Sequence, residues 1–167
     1  MTAFMAHRFD KYGFDNSSHK AAIDSLAGKE GYLQLWVRDK TNDGSITEAM
    51  VEAFIQGIVD YAISKDVKVI LYPHSGTWYE TTAELMELAN KIDHPSVGVA
   101  INLCHELRAG KGSVADLTKT FEMAKGRIFS VLISGSLIEL DRKSVATIDA
   151  STVRPLTALM TSYPICG

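Results

Sequence analysis

The chain has 167 residues, 46% of them apolar and 22% charged, and 17 basic against 20 acidic side chains leave a net charge of −3. This is the make-up of one globular domain, 1–167, with a real core, and it excludes wholesale disorder, a collagen-like fibre and a disulfide-framed miniprotein. The negative balance argues against nucleic acid or anionic lipid as a partner.

Residues 1–16 mix Phe4, Phe9, Tyr12 and Phe14 with polar groups in no clear period and read as an irregular start. Ser17 and Ser18 offer an N-cap to a short helix over 19–26, ended near Gly28. Residues 32–37 are rich in strand formers. Ser45 and Glu48 have capping-box spacing, and the helix after them runs to about 65 on Met50, Phe54, Ile58 and Tyr61. Residues 67–72 form a buried-type strand stopped by Pro73, and 81–90 an amphipathic helix. A turn at 93–96 leads to a third strand, 97–102, then a helix over about 114–124 and a fourth strand over about 128–133. Beyond Gly135 the pattern weakens, so 137–167 reads as divergent. Apolar strands alternating with amphipathic helices specify a parallel α/β sheet of about four β/α units. A complete eight-fold barrel needs about 250 residues, so the expectation is a partial or half barrel.

Cys104 and Cys166 lie far apart and form no CxxC pair. Residues 1–10 carry no apolar leader, and no run approaches the ~18 apolar residues of a membrane span. A cytoplasmic protein without membrane contact is expected. The stretch from Asp39 to Met50 starts like a calcium loop, but its twelfth position is Met50 rather than a bidentate Glu. Gly110 to Gly112 lacks the spacing of a phosphate loop.

Active sites of parallel β/α folds lie at the carboxyl ends of the strands. Arg38 stands there on the first predicted strand. On the second come Tyr72, His74, Trp78 and Glu80, and on the third Asn102, Cys104, His105 and Glu106. His74, His105, Glu80 and Glu106 are the candidate catalytic acids and bases. Asn102, Tyr72, Trp78 and Arg38 are the candidate substrate-binding residues. Cys104 reads as a small buried side chain, and His7, His19 and His94 as surface or turn residues.

The segment Val67 to His74, then Gly76, Glu80 and Thr81, then Val97 to Glu106, resembles the sugar phosphate isomerase/epimerase family. These are xylose isomerase-like TIM barrels, related in fold to endonuclease IV, and the resemblance covers about residues 30–136. It implies a barrel mouth that binds a sugar or polyol and moves a proton next to a carbonyl, with a divalent metal held by two Glu, one Asp and one His. At three of those positions this chain has Tyr72, Asn102 and Leu132; the fourth lies beyond the recognisable region. His105, three residues after Asn102, matches the family's substrate-contacting His. No metal ligand is assigned here, and any cofactor is left open. Arg154, Pro155 and Leu156 resemble the approach to a later strand of the barrel. A slice of barrel leaves two open sheet edges, so a homodimer closing them is expected. The expected function is isomerase or epimerase chemistry on a sugar or sugar acid. The alternatives are a degenerate barrel that binds carbohydrate without turning it over, and an inactive fragment of a larger barrel enzyme.

Overall fold

Strand formers and helix formers alternate along the chain, and the backbone follows them. The computed structural model describes residues 1–41, 43–109 and 114–133. In chain order it runs β1 (Thr2–Arg8), α1 (Phe9–Tyr12), α2 (Ser17–Leu26), β2 (Tyr32–Arg38), α3 (Glu48–Ser64), β3 (Lys68–Leu71), α4 (Thr82–Ile92), β4 (Val97–Asn102), α5 (Leu103–Arg108), α6 (Val114–Met123) and β5 (Ile128–Leu132). The five strands make one parallel sheet in the order β1-β2-β3-β4-β5. With sequential neighbours and right-handed crossovers, the connecting helices gather on one face, as in a slice of a β/α barrel. The expectations for 137–167, including Arg154 to Leu156, fall outside the described residues. No helix among the described residues is long and apolar enough to cross a membrane.

The irregular start expected for residues 1–16 is corrected by β1, which pairs with β2 from Thr2↔Tyr32 to Arg8↔Arg38. Its pattern was faint for a physical reason. Among the described residues it is an edge strand whose Thr2, Phe4 and Ala6 are exposed, while small Ala3, Met5 and a histidine, His7, face the helices. With β1 recognised, His7 and His19 also change character: each is only 1% exposed. Their rings lie 5.2 Å apart and pack on Phe54. Burial holds the His19 imidazole down to about 4 and lowers His7 as well. His94 does sit in a turn, its Nδ1 accepting from the Ser96 backbone N–H.

The main core lies between sheet and helices. Leu33, Leu35 and Val37 of β2, Val69 and Leu71 of β3, and Val97, Val99 and Ile101 of β4 meet Val51, Ile55 and Ile58 of α3 and Leu85, Leu88 and Ala89 of α4. The opposite face carries Tyr32, Trp36, Ile70, Tyr72, Ala100, Phe129 and Leu132. Gly98 is needed on that face: a Cβ there would lie 2.5 Å from the Phe129 ring. The close approach coincides with a register shift between β4 and β5 at Val99 and Ala100.

Three helix starts differ from expectation, the first being α2, where Ser17 and Ser18 lie inside the helix and Asn16 holds the N-cap position. Ser45 does not cap α3; Thr47 does, its side chain accepting from the Met50 N–H. The complete capping box belongs to α4, where Thr81 and Glu84 satisfy each other's backbone N–H groups.

Candidate active site

Alternation along β2 puts Tyr32, Gln34, Trp36 and Arg38 on the face away from the helices. The same alternation carries Tyr72 off β3, and Pro73 keeps the chain extended so that His74 falls on the same side. Asn102 ends β4 and at once becomes the N-cap of α5: its Oδ1 accepts from the Cys104 and His105 N–H groups at 3.1 and 3.4 Å. That turn of helix, absent from the sequence-level reading, swings His105 back toward His74.

The two imidazoles meet with ring centroids 4.1 Å apart. His74 stacks on the Trp36 indole at 5.3 Å and 19°. Tyr72 stands edge-on to His105 at 6.1 Å and holds Phe4 against its other side at 5.0 Å. Between the histidines sits Ser75. Its backbone N–H, 3.2 Å away, and its hydroxyl, 3.1 Å away, both approach His105 Nδ1. Its carbonyl faces His74 Nδ1 at 2.8 Å. A backbone N–H only donates and a carbonyl only accepts. His105 Nδ1 is therefore bare and its proton sits on Nε2, whereas His74 carries its proton on Nδ1 and leaves Nε2 as a lone pair.

Burial keeps the His105 half of that arrangement at neutral pH. His105 is 3% exposed, and burial, then His74, then Arg108 hold its imidazole down to about 4. It is a neutral N–H donor at pH 7. Tyr72 is held up by burial, so its phenol stays protonated. The loop carrying His74 and Ser75 is tied to itself. The His74 N–H donates to the Tyr79 carbonyl, the Thr77 hydroxyl to the His74 and Tyr79 carbonyls, and Gly76 N–H to Glu80 Oε1 at 2.9 Å.

The remaining predicted residues have other surroundings. Glu106 is 1% exposed and its Oε1 accepts from the Thr82 N–H at 2.6 Å and from the Thr82 hydroxyl. It pins the first turn of α4 to α5 and is not part of the histidine pair. Glu80 clasps the loop through Gly76. Trp78 turns to the helix side, lining a cleft of about 210 Å³ with Glu48, Glu52, Glu84 and Glu87. Asn102 spends its amide on the α5 cap and on Tyr72, whose hydroxyl accepts from Nδ2. Arg38 lies two residues past Trp36 on the inner face, half-buried. Trp36 and Ser75 were missed; strict alternation from Tyr32 to Arg38 was the available signal for Trp36, whereas Ser75 acts through its backbone and had none. Cys104 is buried, at 4% exposure.

The donor set does not suit the divalent metal that the resemblance implies. Tyr72 and Asn102 hydrogen-bond to each other, and no three His, Cys, Asp or Glu side chains converge among the described residues.

Comparison with known proteins agrees with this architecture. A family model described as xylose isomerase-like TIM barrel matches residues 20–153. No curated protein sequence matches. Among solved structures, the chain resembles a probable 3-DHS dehydratase involved in petrobactin synthesis from Bacillus anthracis, with 12% identity and a TM-score of 0.60 over 96% of this chain and 66% of that one. It also resembles an AP endonuclease, family 2, from Brucella melitensis, with 17% identity and a TM-score of 0.58 over 90% and 59%. A D-psicose 3-epimerase gives 13% identity and 0.55 over 99% and 78%. The chain thus spans less than two thirds of the first two, and at these identities the likeness concerns the fold.

Proposed function

The chain belongs to the xylose isomerase-like TIM barrel family, and from that premise we propose that its mouth binds a small sugar or sugar acid and moves a proton next to the carbonyl. The observation that carries this reading is the pair of opposite tautomers set by Ser75. His74 Nε2, a lone pair, takes the proton from the carbon beside the carbonyl. His105 Nε2–H donates to the carbonyl oxygen as it gains negative charge. Because the His105 imidazole is held near 4, it stabilises that oxygen as a neutral donor and keeps its own proton. Returning the proton from His74 to the former carbonyl carbon, while the hydroxyl proton on the deprotonated carbon passes to the former carbonyl oxygen, makes the reaction an isomerisation; for an epimerisation the intermediate turns its other face to His74 before the proton returns. The Trp36 indole stacked beneath His74 holds that imidazole in place.

The test is hydrogen exchange in D2O, followed by proton NMR over a panel of ketoses, aldoses and sugar acids. Exchange of one carbon-bound hydrogen, abolished in His74→Gln, supports the reading. Saturable binding without exchange overturns it in favour of a binding module, a second reading that the occupied carboxylates of Glu80 and Glu106 favour.

The site is proposed to work in a homodimer. Among the described residues β1 and β5 are the edge strands, and Phe4, Val131 and Ile133 are exposed at 52%, 45% and 76%. Two copies related by an axis along the strands bring each β5 beside the other's β1 in parallel and close a ring.

A further inference from the structure

Two side chains on β2 are unfinished. Trp36 Nε1 and Arg38 Nε are buried N–H donors with no acceptor. An indole and a guanidinium can only donate, and leaving such a donor dry is destabilising. The other two buried polar side-chain atoms without partners among the described residues, His19 Nε2 and Tyr79 Oη, lie on the helix side of the sheet. Trp36 and Arg38 are the pair that shares a strand, a face and the carboxyl end, about 6.6 Å apart along the strand. They border the histidines, since Trp36 is the platform under His74.

What would complete them is an acceptor, and beside Arg38 a charged one. The nearby acids are already engaged. Asp10 is held by Arg8 at 2.6 Å, and Asp39 accepts from the Thr41 hydroxyl and N–H. Glu80 and Glu106 are bound to Gly76 and Thr82. Where the family resemblance places carboxylates, this mouth has the neutral Tyr72 and Asn102, so an anion entering it meets no carboxylate at those positions.

We propose that Trp36 Nε1 and Arg38 form an anion subsite beside His74 and His105, selecting substrates with a carboxylate or phosphate tail over neutral sugars. The proposal rests on the reading of this mouth as a sugar site and narrows its substrate to an acidic one.

The chain contains two tryptophans, Trp36 and Trp78. Trp78 lines the acidic cleft on the helix side and serves as an internal control. The experiment follows the two indole N–H resonances of the 15N-labelled protein during titration with inorganic phosphate, D-gluconate and neutral D-glucitol at matched ionic strength. The expected result is a saturable shift of the Trp36 resonance with an anion, a still Trp78 resonance, and affinity for glucitol at least about tenfold weaker. Arg38→Gln should weaken the anion by about tenfold or more. A response to gluconate but not phosphate identifies a sugar-acid subsite; the reverse identifies a phosphate subsite. Equal binding of glucitol, or no Trp36 response to either anion, overturns the proposal, and the wild-type titration decides this even if Arg38→Gln does not fold. Anion binding without hydrogen exchange leaves the subsite standing and removes the proton-transfer chemistry. Exchange on neutral sugars with no anion preference does the opposite.

Discussion

Ser75 donates its backbone N–H to His105 Nδ1 and accepts on its carbonyl from His74 Nδ1, so one peptide residue puts two neighbouring imidazoles into opposite tautomers. Two histidines in contact usually compete for one proton. Here the backbone has removed the competition: one ring presents N–H and the other a lone pair. The loop that holds Ser75 is closed by Thr77 and Glu80, so this polarity is built before any ligand arrives.

The tautomers can be read directly. At pH 7, 15N–1H long-range correlation spectra should show His105 protonated at Nε2 and His74 at Nδ1. His105 should keep that form down to a midpoint of about 4. A His105 protonated on Nδ1 at neutral pH would contradict the Ser75 geometry. Ser75→Ala removes only the hydroxyl and should leave both tautomers unchanged, because the assignment rests on the main chain.

Acid should destabilise the protein through buried histidines. His19 and His105 are each held from 6.5 down to about 4 in the fold, by burial first. On acidification the unfolded chain takes up protons before the folded one. Their contribution is therefore complete above pH 6.5, declines as pH falls toward 4, and levels off below that. The slope is about 1.4 kcal/mol per pH unit for each group, or roughly 3 kcal/mol apiece in all. His19→Leu should remove about half of this slope in urea melts across that window. An unchanged slope would mean His19 is not buried beside Phe54.

Glu106 is expected to act on stability before chemistry. Its Oε1 accepts both Thr82 donors at the head of α4. Glu106→Ala leaves the Thr82 N–H dry, while the Thr82 hydroxyl keeps the Ala100 carbonyl within reach, and should cost about 1–3 kcal/mol, with faster amide exchange in the first turn of α4. Glu106→Gln keeps an acceptor oxygen of the same reach and should cost less. Equal losses in the two variants would remove the hydrogen-bonding explanation.

Gly98 offers a steric test of the inner face. Adding a Cβ brings it within 2.5 Å of Phe129 and 2.6 Å of the Arg127 carbonyl. Gly98→Ala should cost about 1–3 kcal/mol. Phe129→Leu in the same chain should recover the share due to the ring, but not the share due to the carbonyl. Independent, additive effects would show that the two residues do not touch.

Most of the sheet was legible because β2 to β5 carry long apolar side chains between amphipathic helices. The edge strand was not, since one of its faces meets solvent and its core-facing residues include His7 and Ala3. At the site, periodicity placed His74 and Tyr72 on the right end of the sheet. It did not separate Glu106 from His105, because adjacent residues on the same turn point apart and only the fold shows one meeting Thr82 and the other Ser75. The loop position of Trp78 suggested the mouth, but the fold turns it to the helix side, and alternation along β2 puts the unread Trp36 there instead.

All five described strands run the same way, so two copies turned about an axis along the strands can pair β5 with β1 twice and keep both histidine pairs at one mouth. Sedimentation equilibrium should then show twice the chain mass over a wide concentration range. Val131 lies on β5 and is exposed, so Val131→Lys should spare the protomer's fold but place a charge in the joint and shift the mass toward the monomer. A wild-type chain that stays monomeric at every concentration ends the dimer proposal. A dimer indifferent to Val131→Lys would mean that the copies meet elsewhere and that the edges do not close the ring.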